Sequence, residues 1–336
     1  MKKYCKFSDN LFYISLRIKK LCRFIKYFIK STIRNIITPL FRLIYQLESD
    51  EWGLVCPYGI GDTYFTCGFA SEILKTHGGK KITVFLKQNH SFIPNIFPVI
   101  SKTVVVKFPF NVKYLGTNNL KPGTPFYSHF TDNDTFDLIG YNNMTLIDCY
   151  KKILKLNEHS CLSNPLYPTE NEFRKAEEVF FKNKLLKLKT VILAPEANST
   201  SVVNKNFWID LSKELNNNGF IPVGNIIIPE NNIQGIRNLN LPLALIRAFA
   251  ELSGFVVSVR NGLCDLLSNV NASLVVIYPD IIWYGGKLID GTSLKSMKIS
   301  KSVIEYEFKK NNSNKIIDDI VSAFKQKSNN SQSKYI

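Results

Sequence analysis

The stretch "PYGIGDTYF", residues 57–65, places a carboxylate beside two glycines at the point where a predicted helix begins. An apolar run before it predicts a buried strand, so Gly59 and Gly61 would expose backbone N–H groups at the positive end of the helix. Asp62 lies at or near the N-cap. It either only caps the helix, which contributes ~1 kcal/mol, or acts as a general base that deprotonates an attacking hydroxyl. We predict the catalytic role, with both glycines in the loop that receives the hydroxyl-bearing acceptor.

A second candidate loop, residues 194–208, follows another predicted strand and reads "APEANSTSVVNKNFW". Its amide and hydroxyl donors are Asn198, Ser199 and Thr200. Lys205 adds a positive charge, and lysine binds phosphate groups as a point charge. A loop with these donors suits the phosphate or diphosphate of a donor substrate. The alternative is a hydrophilic connection whose closing aromatic residues pack in the core.

The third candidate, "SVRNGLCDLLS" at residues 258–268, joins a predicted strand to a helix. Arg260 and the backbone of Asn261 and Gly262 precede the helix, so a guanidinium and the positive helix end point the same way. Asp265 lies one turn inside the helix. Alone, this pattern is also that of a plain strand-to-helix corner. Together with the other two loops it predicts a site for the donor diphosphate, to which we assign all four residues.

The elements that position these loops are strands alternating with helices. Strands are predicted at 52–57, 81–86, 103–108, 190–195, 220–225, 255–259 and 273–279. This alternation predicts an α/β fold with parallel sheets and helices on both faces. A Pro- and Asn-containing stretch at 157–171 indicates a domain boundary. The predicted divisions are a basic arm at 1–48, an N-terminal Rossmann-like domain at 49–160, a C-terminal one at 161–327 and a disordered tail at 328–336. Two such domains imply a cleft between them in which a ligand binds.

The arm carries much of the positive charge of the chain. The net charge is +16, and residues 1–48 hold eleven Lys and Arg against two acidic residues. Helical spacing places these charges in one stripe beside apolar and aromatic residues, which is typical of a helix lying on an anionic membrane surface. The arm lacks both an apolar span that could cross a bilayer and the cleavage site of a secretory signal. The alternative is a helix packed on the body with its basic face in solvent.

Other partners are not expected from the composition. No helix-turn-helix, zinc or aromatic-sheet signature accompanies the positive charge, so nucleic acid is not an expected partner. Seven cysteines are scattered without a C-x-x-C pair. Such spacing is typical of reduced thiols in the cytoplasm.

Taken in order, the three loops resemble those of the lipopolysaccharide heptosyltransferases over residues 52–280. "GIGDTYFTCGFASEILK" is similar to the Gly-x-Gly-Asp loop and helix of that family, and "ILAPEANSTSVVNKNFW" to a stretch that opens with Pro-Gly-Ala and runs through a lysine. "FVVSVRNGLCDLLS" resembles Gly-Asn-Asp-Thr-Gly-Leu-Ser-His-Leu, with Asn261 and Gly262 in the Thr-Gly places that meet donor phosphate. Here the chain departs twice: Arg260 replaces an aspartate that contacts the sugar, and Asp265 replaces a histidine.

The resemblance implies a GT-B fold and a glycosyltransferase that moves a sugar from a nucleotide-sugar donor to a lipopolysaccharide- or capsule-type glycan or glycolipid. It implies inversion at the anomeric carbon, Asp62 as base, no cofactor and no metal. With the basic arm, it predicts a peripheral enzyme on the cytoplasmic face of the plasma membrane.

Three alternatives stay open. Asp132 and Asp134 form a D-x-D pattern of the kind that chelates the cation of a nucleotide diphosphate in the other glycosyltransferase fold. A related transferase would move a pyruvyl or glycerophosphate group onto a polysaccharide. A module without catalytic activity would bind glycan alone.

Overall fold

The computed structural model describes residues 38–107, 122–128, 144–197, 203–300 and 302–332. Its strands form two parallel sheets, one before and one after the 157–171 segment, together with a small antiparallel hairpin. The α/β prediction is therefore confirmed. Most of the basic arm, residues 1–37, lies outside the described residues. Within the part of the chain that is described, no helix is long and apolar enough to span a bilayer.

The first sheet has the strand order β3–β2–β1–β4. Its parallel strands are β1 (Glu51–Cys56), β2 (Lys81–Leu86), β3 (Lys102–Val105) and β4 (Pro125–Tyr127). The helices around it are α1 (38–45), α2 (Ile60–Gly68), α3 (Ala70–His77) and α4 (Leu146–Ile153). All six residues of β1 are buried, as a central parallel strand requires. Cys56 lies opposite Leu86 in the register, so the loops that leave β1 and β2 start at the same edge.

The second sheet has the order β12–β9–β8–β5–β6–β7. Its strands are β5 (Thr190–Ala194), β6 (Ile221–Gly224), β7 (Arg237–Asn238), β8 (Phe255–Val259), β9 (Ser273–Pro279) and β12 (Ile304–Phe308), while β10 (Ile282–Trp283) and β11 (Gly286–Lys287) form the hairpin. The helices are α5 (Glu170–Lys182), α6 (Lys205–Asn217), α7 (Ile246–Ser253), α8 (Gly262–Leu266), α9 (Leu288–Thr292) and α10 (Ser313–Gln332). Helices α6 and α10 cover one face of this sheet with a separate apolar cluster.

A single apolar cluster joins the facing sides of the two sheets. Leu54 of β1, Phe65 of α2 and Val256 of β8 are all fully buried in it. A polar contact crosses the same seam, because Asn269 Nδ2 donates to Tyr64 Oη at 2.9 Å. Helix α2, which carries Asp62, is therefore held between the two sheets.

Several short elements were not predicted, among them β12 and the β10–β11 hairpin, and the structure differs from the sequence prediction at three further places. The polar segment before residue 128 contains strand β4, an edge strand in which Pro125 is tolerated because it is the first residue. The helix predicted after Gly61 is two helices, which meet at Phe69. The predicted tail is corrected over residues 328–332, which continue α10. Ser328 is buried, so the helix packs on the domain as far as that residue.

Candidate active site

Asp62 closes the first turn of α2. Its Oδ2 accepts a hydrogen bond from the backbone N–H of Gly59 at 2.9 Å. Thr63 Oγ1 donates to the Gly59 carbonyl at 3.1 Å, which fixes the same turn. The carboxylate therefore has the capping role that the sequence left open. Capping occupies Oδ2, and Oδ1 points to a second partner.

That partner is Tyr150, on α4, whose hydroxyl donates to Asp62 Oδ1 at 2.5 Å. Burial and the nearby Asp62 carboxylate raise the pKa of Tyr150 well above its ordinary value, so the hydroxyl stays protonated and donates. Each carboxylate oxygen has two lone pairs, so a bonded Asp62 still has acceptor capacity for a substrate hydroxyl. Sequence reasoning missed Tyr150. Its place in the apolar stripe of α4 predicts burial but gives no sign of a partner far back in the chain.

His90 is a second group that sequence reasoning missed. It closes a short 3₁₀ turn, Gln88–His90, after β2 and so lies at the same sheet edge as the Asp62 loop. Its Nδ1 is buried and has no hydrogen-bond partner among the described residues. Burial and the positive charge of Lys87 lower the pKa of His90, and the negative charge of Asp62 opposes this shift. The imidazole is therefore neutral at neutral pH. The effect of Asp62 on its pKa places the two side chains within electrostatic range of each other.

The Asp62 loop touches the loop that follows β8. A Cβ added to Gly262 would lie 2.4 Å from Gly61 N and 3.0 Å from Ile60 Cβ. A Cβ added to Gly61 would lie 2.7 Å from Asp265 Oδ2. Neither glycine has a positive φ, so close approach and not backbone conformation excludes a side chain here. We expected a cleft between the domains, but at this point the two loops are in backbone contact.

Arg260 and Asp265, the two departures from the heptosyltransferase pattern, bind each other. Arg260 Nη2 donates to Asp265 Oδ1 at 2.7 Å, and Nη1 donates to Oδ2 at 3.1 Å. Arg260 Nε and Nη1 also donate to the carbonyls of Thr292 and Asn261, at 2.9 and 2.6 Å. Both side chains are buried. Burial raises the pKa of Asp265 to about 6 and the Arg260 charge opposes this shift, so the pair is ionic at neutral pH.

The positive charge that we assigned to donor diphosphate is thus already matched inside the protein. Coulomb attraction at this separation in a dry interior is strong, and breaking such a pair leaves a buried charge unpaired. Donor contact by Arg260 or Asp265 stays a prediction. What the structure adds is a positioning role, since the pair ties the start of α8 to the Thr292 carbonyl.

Asn261 and Glu196 join the second and third loops. Asn261 caps α8, since its Oδ1 accepts from the backbone N–H groups of Leu263 and Cys264 at 2.9 and 3.3 Å. Its Nδ2 donates to the Glu196 carbonyl at 2.6 Å. The Glu196 carboxylate accepts from the backbone N–H groups of Ile227 and Ile228 at 2.7 and 2.9 Å. Glu196, which stands where the family pattern has glycine, was not among our predicted residues.

The remaining predicted donor ligands are only partly described. Lys205 is the first residue of α6, and its Nζ donates to the Glu230 carbonyl at 2.7 Å at the surface. Asn198, Ser199 and Thr200 lie outside the described residues, between the end of β5 and α6. The structure thus brings Gly59, Gly61, Asp62, Asn261, Gly262, Arg260 and Asp265 to one junction and leaves the three polar loop residues as predictions.

The part of the chain that is described contains no group of three or more His, Cys, Asp or Glu side chains that could hold a metal ion. Asp132 and Asp134, the alternative metal ligands, lie outside that part. No disulfide bond joins the cysteines within that part, which are Cys56, Cys67, Cys149, Cys161 and Cys264.

No protein-family model matches the sequence, and no curated protein matches it. Solved structures match the fold, two of them with TM-scores of 0.57 and 0.58. A glycosyl transferase family 9 protein from Veillonella parvula DSM 2008 has a TM-score of 0.57 at 11% identity, covering 83% of this chain and 97% of that one. The ADP-heptose LPS heptosyltransferase II of E. coli has a TM-score of 0.58 at 12% identity, covering 82% of this chain and 99% of that one. The chain therefore has the fold of the family 9 glycosyltransferases, the family that its loops resemble.

Proposed function

We propose that this protein is a glycosyltransferase that moves a sugar from a nucleotide-sugar donor to a hydroxyl of a lipopolysaccharide- or capsule-type glycan or glycolipid. The observation that carries the proposal is the junction of the three loops. The loop that carries Asp62, beside the first sheet, meets the loop that follows β8 of the second sheet. In a fold of two α/β units, ligands bind at the carboxyl ends of the strands, which is where both loops lie.

In the proposed reaction Asp62 takes the proton of the acceptor hydroxyl as its oxygen attacks the anomeric carbon of the donor sugar. The bond from that carbon to the diphosphate breaks, and the nucleoside diphosphate leaves with the electron pair. Attack from the side opposite the leaving group inverts the anomeric centre. Tyr150 acts on Asp62 through its 2.5 Å hydrogen bond, which fixes the orientation of the carboxylate.

The leaving diphosphate needs positive electrostatic stabilisation. We assign this to the backbone N–H groups of Asn261 and Gly262, to Lys205 and to the polar loop that holds Asn198, Ser199 and Thr200. Arg260 contributes less free charge than the sequence suggested, because Asp265 balances it. The same pair occupies the positions of a sugar-contacting aspartate and a histidine in the resembled family, so we infer that these two residues govern the choice of donor sugar. No metal takes part in this proposal.

Nucleotide sugars are expected to raise the melting temperature of the protein. A donor at a hundred times its Kd stabilises the folded state by about 2.7 kcal/mol, which for a chain of this size shifts the melting temperature by several degrees. A thermal-shift screen across nucleotide sugars, with ADP-heptose among them and the free nucleoside diphosphates as controls, measures this. The donor with the largest shift is then tested for transfer to lipopolysaccharide, with and without a chelator.

The proposal predicts a shift with at least one nucleotide sugar, followed by transfer that the chelator does not reduce. Absence of a shift with every nucleotide would contradict it and support a glycan-binding module without catalytic activity. Loss of transfer in the presence of the chelator would still support a glycosyltransferase but would contradict its metal independence.

A further inference from the structure

Helix α1 has one face anchored on the first sheet. Phe41 is 3% exposed, and its ring packs against Phe85 of β2 with centroids 4.8 Å apart. Tyr45, one turn later, packs against the same ring at 5.0 Å. With Leu47 and Val55 these residues form a small apolar cluster on that side of the sheet. The orientation of the helix is therefore fixed by its contacts with the body.

The opposite face of α1 is apolar and exposed. Leu40, Leu43 and Ile44 are 48%, 75% and 59% exposed. Their spacing of three and four residues places them on one side of a helix. Single exposed apolar residues are ordinary, whereas a contiguous group on one fixed face is typical of a surface that another body covers.

The chain that leads into α1 indicates what covers this face. Residues 1–37 contain ten Lys and Arg and one acidic residue, and they directly precede the described residues of α1. The segment is also rich in aliphatic and aromatic residues. Positive charge next to an apolar helix face fits the interface of an anionic lipid bilayer, which offers acidic headgroups and hydrocarbon side by side. A protein surface that is acidic and apolar over such a length would be unusual.

We propose that Leu40, Leu43 and Ile44 insert into the headgroup–acyl boundary of an anionic membrane. Because Phe41 and Tyr45 fix α1 on the sheet, the bilayer holds the whole molecule in one orientation. This proposal does not depend on sugar transfer, and it confines the proposed enzyme to acceptors that lie at the membrane surface.

Vesicle co-sedimentation of the full chain tests the proposal. Vesicles of phosphatidylcholine with 30% phosphatidylglycerol, a composition chosen as ~one anionic lipid in three, are compared with phosphatidylcholine alone. The Leu40→Ser, Leu43→Ser, Ile44→Ser triple variant is expected to bind the anionic vesicles at least tenfold more weakly, since each leucine or isoleucine loses its burial in lipid. Phe181→Ser with Leu186→Ser is the matched control, because these residues are also apolar and exposed but lie after the domain boundary. This control should bind like the wild type.

A Leu43→Trp variant gives a readout that does not depend on the folding of the triple variant. Its additional tryptophan should shift its emission to the blue only with anionic vesicles and should be quenched by brominated lipid. Unchanged vesicle binding of the triple variant, or a tryptophan that brominated lipid does not quench, would overturn the proposal. So would a dimer in solution that the triple variant converts to a monomer, because the face would then be covered by protein.

Discussion

Replacement of Asp62 by asparagine is expected to lower kcat of sugar transfer by ~10²- to 10⁴-fold, the usual contribution of a general base. The amide is close in size to the carboxylate but does not take a proton from the acceptor hydroxyl. Steady-state transfer rates, measured with the donor found by thermal shift, test this expectation. The loss should appear in kcat at saturating substrates, since donor binding lies with the other loops.

The stability of this variant must be measured beside its activity, because Asp62 also closes the first turn of α2. The loss of a helix cap costs ~1 kcal/mol, and the amide still accepts one hydrogen bond. A drop of a few degrees in melting temperature therefore accompanies a much larger drop in kcat. The thermal shift produced by the donor should persist.

Tyr150→Phe is the matched control for Asp62→Asn. It removes the hydroxyl that donates to Asp62 Oδ1 at 2.5 Å but leaves the carboxylate and a ring of nearly the same shape in the buried site. If Tyr150 only orients the carboxylate, kcat falls by about tenfold or less, which corresponds to one hydrogen bond. Full transfer activity in Asp62→Asn would show that this carboxylate is not the base and is only a helix cap.

Gly262→Ala is expected to lower the stability of the protein markedly. The new Cβ would lie 2.4 Å from Gly61 N, a distance that real Cβ atoms do not tolerate. The nearest atoms are the backbone of Gly61 and the branched Cβ of Ile60, which cannot rotate away. The loops must separate, which breaks the contact between the two sheets. Overpacking of a tight site costs ~1–3 kcal/mol and sometimes more, and here we expect the upper end. Urea unfolding monitored by circular dichroism measures it.

Gly59→Ala is the control, because it changes a glycine in the same loop whose added Cβ would approach the end of a side chain and not backbone. Its Cβ would meet only Asp62 Oδ2, at 3.2 Å, and Gly59 has an ordinary extended conformation. Its midpoint in urea should stay close to that of the wild type. Equal midpoints for Gly262→Ala and the wild type would mean that the two loops are not in contact in solution.

The buried parallel strands could be predicted from the sequence because each is a short apolar run between helical patterns. Strand β12 was missed, although the alternation of apolar and acidic residues over Ile304–Phe308 is typical of a half-buried strand at the edge of a sheet. Strand β4 has only three residues, too few for periodicity to identify. Both depend on a neighbouring strand that lies far away in the sequence.

The site was predictable where it depends on local chain geometry and not where it depends on partners. The start of α2 after the Gly-x-Gly loop and the start of α8 after Asn261 follow from residue types, and the structure has Asp62 in the first turn of α2 and Asn261 as the N-cap of α8. Sequence patterns place a guanidinium but do not show what it binds. For that reason the sequence indicated that Arg260 is a free cation, although Asp265 neutralises it in the structure. The roles of Tyr150 and Glu196 could not be predicted for the same reason, since the tertiary fold determines their hydrogen-bond partners.

The Arg260–Asp265 pair also has an evolutionary consequence. Compared with the heptosyltransferase pattern that this loop resembles, an arginine stands in the place of an aspartate and an aspartate in the place of a histidine. An aspartate in place of Arg260 would bury two acids against each other, and a histidine in place of Asp265 would leave the buried Arg260 charge without a counter-ion. Homologous chains are therefore expected to keep or lose both residues together. The two positions form one heritable unit.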